Sequence, residues 1–146
     1  MVNWKYHCID ELKCHRYKVH SLETLPEDIS RCKEQMDGIR SATSDSTPVK
    51  GGGCGREDYL INAVAKKDSL SATLKDVKYD VGAVEKALEL LTDEQRRILE
   101  LFFIRRERGY KERLCNELNI SLSELYRRKD EALRLYALSR YGMTER

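Results

Sequence analysis

Two runs of apolar residues recur with heptad spacing, and they commit much of this chain to long, paired helices. The first is Leu22, Leu25, Ile29, Cys32, Met36 and Ile39; the second is Leu74, Val77, Val81, Val84, Leu88 and Leu91; each is spaced 3, 4, 3, 4, 3. That period lays one apolar stripe along one side of an α-helix, the a/d seam of a coiled coil. A helix cannot bury such a stripe alone, so each needs a partner helix from the same chain or a second copy. Only two prolines occur in 146 residues, which leaves long helices permitted almost everywhere.

The seams and the breakers between them divide the chain. Residues 1–40 read as N-terminal helices with a break near 25, because Pro26 inside the first seam removes a backbone hydrogen bond and clashes one turn back. Glu27 and Asp28 would then suit the first turn of a second helix. Residues 41–56, S-A-T-S-D-S-T-P-V-K-G-G-G-C-G-R, have no period and read as a flexible loop. Residues 57–91 carry the second seam and predict a long helix pairing with the first, with Gly82 a soft spot costing about 1 kcal/mol against alanine. Thr92-Asp93-Glu94-Gln95 is a capping box that starts a further helix, ending near Arg105 because Arg108-Gly109 is a breaker.

Residues 110–138 read as helix, tight turn, helix. Leu114, Cys115 and Leu118 supply an apolar, a small and an apolar inward position; Asn119 tolerates the left-handed turn, Ile120 plugs the angle, and Leu125 follows five residues later. Ser121 is an N-cap, with Glu124 placed to complete a second capping box. The last apolar slot of the pattern holds Arg128. The fold class expected is therefore all-α: a long antiparallel helical hairpin followed by a C-terminal helix-turn-helix module over residues 92–142.

Such a motif offers its second helix to the major groove of duplex DNA. The base-reading candidates are Ser121, Leu122, Ser123, Tyr126 and Arg127, with Arg127 suited to a bidentate guanine contact. The phosphate candidates are Arg105, Arg106, Arg108, Lys111 and Arg113 ahead of and within the first helix, and Arg128, Lys129 and Arg134 on the second. The net charge of +2 is no bulk field for nucleic acid, although residues 93–146 carry 13 Lys and Arg against 10 Asp and Glu. Arg-Arg-Lys at 127–129 is also compatible with a solvated face balanced by Asp130 and Glu131.

The stretches L-T-D-E-Q-R-R-I-L-E-L-F-F and Y-K-E-R-L-C-N-E-L-N-I-S-L-S-E-L-Y-R-R-K-D-E-A-L resemble region 4 of the sigma-70 family, which recognises the promoter −35 element. The wider order of helices, loop, long helix and region-4-like end resembles small phage and prophage proteins of Gram-positive bacteria, some described as sigma-like or as late-gene activators. The resemblance implies a transcriptional regulator with double-stranded DNA as partner. Nothing before Leu91 resembles region 2, so a complete sigma factor is not expected.

Other chemistry finds little support in the residues. Cys8 and His15 are seven apart, about 10.5 Å along a helix, too far to share a zinc ion bound at ~2.0–2.3 Å. The run G-G-G-C-G at 51–55 lacks the spacing of a phosphate loop, and Cys54 within it has no identifiable base. No nucleophile–base pair or paired carboxylates suggest an enzyme, and no cofactor is expected. Five scattered cysteines without C-x-x-C, no apolar span of about 20 residues and no secretory h-region suggest an intracellular protein without a membrane partner, and the phage resemblance implies the cytoplasm of a bacterial host cell. The remaining expectations are homodimerisation through the long helices and two alternative functions. One is a protein-interaction module docking on RNA polymerase or another partner; the other is the DNA-recognition (small) subunit of a phage packaging terminase.

Overall fold

A computed structural model describes residues 3–44 and 54–142, and those residues are helical with no strand among them. The helices are α1 (Trp4–Ser44), α2 (Cys54–Glu89), α3 (Asp93–Leu99), α4 (Tyr110–Leu118) and α5 (Leu122–Tyr141), with a π-helical turn at Glu100–Ile104. α1 and α2 take up residues 41–44 and 54–56 of the loop expected at 41–56, and the rest of that stretch, residues 45–53, lies outside the described residues.

The expected break near residue 25 is absent. α1 runs unbroken from Trp4 to Ser44 with Pro26 inside it. Pro26 is exposed, so its ring lies off the seam, while Ile29, Cys32 and Met36 stay buried and Leu22, Leu25 and Ile39 half-buried. Packing along that stripe outweighs the roughly 3 kcal/mol that an interior proline costs. Pro26→Ala is therefore expected to raise stability by about 2 kcal/mol, the restored helix bond less the unfolded-state entropy that proline removes. Urea unfolding followed by circular dichroism checks this; a loss of stability would mean that the proline shapes the helix.

The chain divides into two compact units, which do not follow the sequence boundaries at 40, 56 and 91: residues 20–78 form one, and residues 1–19 with 79–146 the other. In the first, Ile29, Cys32 and Met36 of α1 and Ala63 of α2 are buried. In the second, Cys8 and Leu12 of α1 join Val84 and Ala87 of α2, Leu91, Leu99 of α3, and Ala132, Leu133, Tyr136 and Ala137 of α5 in one core. Ala87, Ala132 and Ala137 are small enough to let the α2 and α5 backbones approach, and the Ser139 hydroxyl donates to the Ala87 carbonyl at 3.0 Å. Arg140 Nε donates to Glu11 at 2.8 Å, and the Tyr141 hydroxyl donates to the same carboxylate. Lys18 meets Asp80 at 3.0 Å. His15 is buried beside this pair's helices with no hydrogen-bond partner for Nδ1 among the described residues, and burial pushes its pKa down.

A second core within the same unit holds Ile98, Leu101, Phe102, Tyr110, Leu114 and Leu125, with Leu118, Ile120 and Tyr126 packed against it. The π turn makes the two cores possible. The Arg105 amide donates to the Glu100 carbonyl at 2.7 Å, five residues back, which inserts one extra residue into the turn. The run Ile98-Leu99-Glu100-Leu101-Phe102-Phe103-Ile104 is too apolar for one helix face, and the wide turn distributes it. Leu99 and Ile104 go to the first core, Leu101 and Phe102 to the second, and Phe103 touches both.

Candidate nucleic-acid interface

α3 begins as its sequence dictates. The Thr92 hydroxyl accepts from the Gln95 amide at 3.2 Å, and the Gln95 side chain accepts from the Thr92 amide at 3.1 Å. Gly109, at φ 74°, turns the chain into α4 in a left-handed conformation that glycine adopts without strain. α4 stops at Asn119, which takes φ 54° and ψ 51°. The Asn119 amide donates to the Cys115 carbonyl, as does that of Ile120 at 3.1 Å, so two amides that leave the helix are satisfied within three residues. Ser121 is extended and its hydroxyl caps α5 by accepting from the Glu124 amide at 3.3 Å.

The second half of the expected capping box does not form. Glu124 turns its carboxylate forward along α5, accepting from Arg127 at 2.9 and 2.6 Å and from Arg128 Nε at 3.0 Å. Two guanidiniums outbid one backbone amide for the same carboxylate. They hold the Glu124 carboxyl well below its ordinary 4.5, at about 2. Since the shift is downward, its contribution is complete above the ordinary value and is lost only as pH falls toward 2. Both arginines are thus engaged at neutral pH.

Tyr126 packs half-buried against the second core, and the other residues singled out by sequence occupy three kinds of place. Ser121, Leu122, Ser123 and Arg127 are exposed on the first turns of α5, with Leu122 50% accessible. Four cations are taken up by carboxylates. Arg127 also lies 3.5 Å from Glu131, Arg128 reaches Glu94 of α3 at 2.5 Å, Lys129 meets Asp130 at 3.0 Å, and Arg113 meets Glu107 and Glu117 at 2.9 and 3.2 Å. Arg128 thereby fills the slot where the pattern calls for an apolar residue: half-buried, it ties α5 to α3 by charge. Arg105, Arg106, Arg108, Lys111 and Arg134 have no carboxylate partner among the described residues.

Aromatic rings gather part of this set. Phe102 meets Tyr110 edge-on at 5.0 Å and Tyr126 at 6.1 Å. Lys111 lies 5.2 Å from the Tyr126 ring centre and Lys129 lies 5.5 Å from it. The Arg106 guanidinium sits 4.9 Å over the Tyr110 ring and donates to the hydroxyl of the same tyrosine at 2.7 Å. Ring faces orient Arg106 and Lys111 without cancelling their charge, leaving both able to meet an anion, whereas Lys129 is also paired with Asp130. Neither this aromatic organisation nor the part of Glu124 is among the expectations from sequence. The signal for the second was present, since Glu124 stands three and four residues ahead of Arg127 and Arg128, the spacings at which side chains meet on a helix.

No protein family, curated protein or solved structure matches this chain. Among the described residues no helix is long and apolar enough to cross a membrane, and no cluster of three or more His, Cys, Asp or Glu could hold a metal ion.

Proposed function

We propose that the chain is a sequence-specific duplex-DNA-binding regulator of phage type, using α4, the Asn119 turn and α5 as a sigma region 4-like helix-turn-helix. In this reading α1 and α2 form an antiparallel hairpin, and the chain is not a complete sigma factor. One observation carries the reading. The left-handed Asn119 and the Ser121 cap set α5 off from α4 with Leu122, Ser123 and Arg127 exposed on its opening turns, and uncancelled cations on the tyrosines beside them. Leu22, Leu25, Leu60, Leu70 and Leu74 remain half-exposed along the long helices, which fits a homodimer through those helices. Light-scattering mass tests that part.

Selection of bound sequences from a random duplex pool tests the function itself. Enrichment of a defined motif is expected, and a pool without enrichment would overturn sequence-specific binding. Glu124 restrains this surface, so Glu124→Gln is expected to tighten duplex binding about three- to tenfold at low salt by removing a negative charge and releasing Arg127 toward the DNA. Unchanged or weaker binding, read by fluorescence anisotropy, would mean that Arg127 contributes only within its own helix.

A second reading is favoured by one specific feature. Leu90 is 84% exposed beside a groove of Leu91, Leu135 and Leu138, an apolar surface of the kind that a protein partner covers. Co-purification with RNA polymerase in the absence of a specific DNA footprint would favour this interaction module over the DNA reader.

A further inference from the structure

A pocket of about 370 Å³ opens where α1 passes the π turn, lined by Lys13, Arg16 and Tyr17 of α1, by Phe103 and Ile104, and by Arg106. Three cations converge here and no carboxylate lines the pocket. Lys13 and Arg16 are exposed, three residues apart on one side of α1, and neither has an ion-pair partner among the described residues. Arg106 is held by Tyr110, by ring and hydroxyl, so its position is fixed while its charge stays uncompensated. Like charges gathered over an apolar floor repel one another more than they would in water, and an anion seated among them relieves that repulsion.

The surroundings indicate which anion. Phe102 also lines this pocket, and the same ring lies 6.1 Å from Tyr126 and 5.8 Å from Lys129. Tyr126 in turn carries Lys111. Through the rings of Phe102, Tyr110 and Tyr126, the cations Lys13, Arg16, Arg106 and Lys111 are thus linked in sequence to the opening turns of α5. A polyanion with regularly spaced charges matches such a track better than a single small ion does.

We propose that Lys13 and Arg16, with Arg106, form a backbone-phosphate site for the flank of a duplex docked on α4 and α5. The proposal rests on the DNA-binding reading and adds α1 to the interface. It makes the first helix part of the recognition surface as well as of the core.

The test uses the full chain carrying both Lys13→Gln and Arg16→Gln. Its control carries Lys75→Gln and Lys78→Gln, which remove the same charge from exposed positions of α2. Anisotropy titrations against a 30-base-pair duplex at several salt concentrations give the slope of log affinity against log salt. Each phosphate contact contributes about 0.9 to that slope, so the double variant is expected to reduce it by about 1.8 and the control to leave it near the wild-type value. A slope unchanged by Lys13→Gln and Arg16→Gln overturns the site, even where calorimetry detects inorganic phosphate at the pocket. An equal fall in the control overturns it as well, because the effect would then be one of net charge. Wild-type chain that binds no duplex removes both this site and the function it rests on, whereas wild-type binding with an unchanged slope removes this site alone.

Discussion

Leu12→Ala is expected to destabilise the unit formed by residues 1–19 and 79–146 by about 2–5 kcal/mol. Leu12 has no accessible surface and packs in the cluster that contains Leu99, Leu133 and Tyr136, although these residues lie far along the chain. Truncation removes the transfer energy of the lost carbons and leaves a cavity, because neighbours drawn from α2, α3 and α5 cannot all close on it. Against a total stability of about 5–15 kcal/mol for an ordinary domain, the loss is a large fraction. Urea unfolding measures it, with Leu90→Ala as reference, since Leu90 is 84% exposed and its truncation should change stability by no more than about 0.5 kcal/mol. Equal effects of the two substitutions would mean that the first helix is not part of this core.

Leu122→Glu separates recognition from folding. Leu122 is the first residue of α5, half-exposed, and outside both cores. A carboxylate there suits the positive end of the helix and is expected to leave stability unchanged or raise it by a few tenths of a kcal/mol. In the proposed complex the same carboxylate faces base edges between two phosphate strands. Like-charge juxtaposition at an interface costs several kcal/mol, so duplex affinity is expected to fall about 100-fold. Thermal unfolding and anisotropy on the same preparation read both effects. A variant that folds normally and binds DNA as well as the wild type would exclude the opening turn of α5 from the interface.

The seams were legible in the sequence because a 3, 4 repeat has one structural meaning over many turns. The Thr92 capping box and the left-handed Asn119 were legible for a different reason: each is a local rule satisfied within four residues. What escaped depended on distant partners. Pro26 reads as a break in isolation, and only burial of Ile29, Cys32 and Met36 carries the helix through it. Cys8 and Leu12 belong to a core completed by α5, while His15 and Lys18 interrupt the apolar stripe that would have announced it. The π turn was hinted at by an apolar run too long for one face, but the identity of the wide turn depends on two cores competing for the same seven residues. At the candidate interface, side-chain types were legible and their charge balance was not. Arg127 and Arg128 look free in the sequence and are held by Glu124 and Glu94, whereas Arg106 and Lys111 are gathered on the rings of Tyr110 and Tyr126.

The central claim is that the α4–α5 pair docks on duplex DNA. A fluorescence-anisotropy titration of the full chain against a duplex from the selected pool, at low salt, tests it most directly. Saturable binding at or below micromolar protein is expected, weakening steeply as salt rises and lost in Leu122→Glu. No binding at micromolar protein and low salt would contradict it.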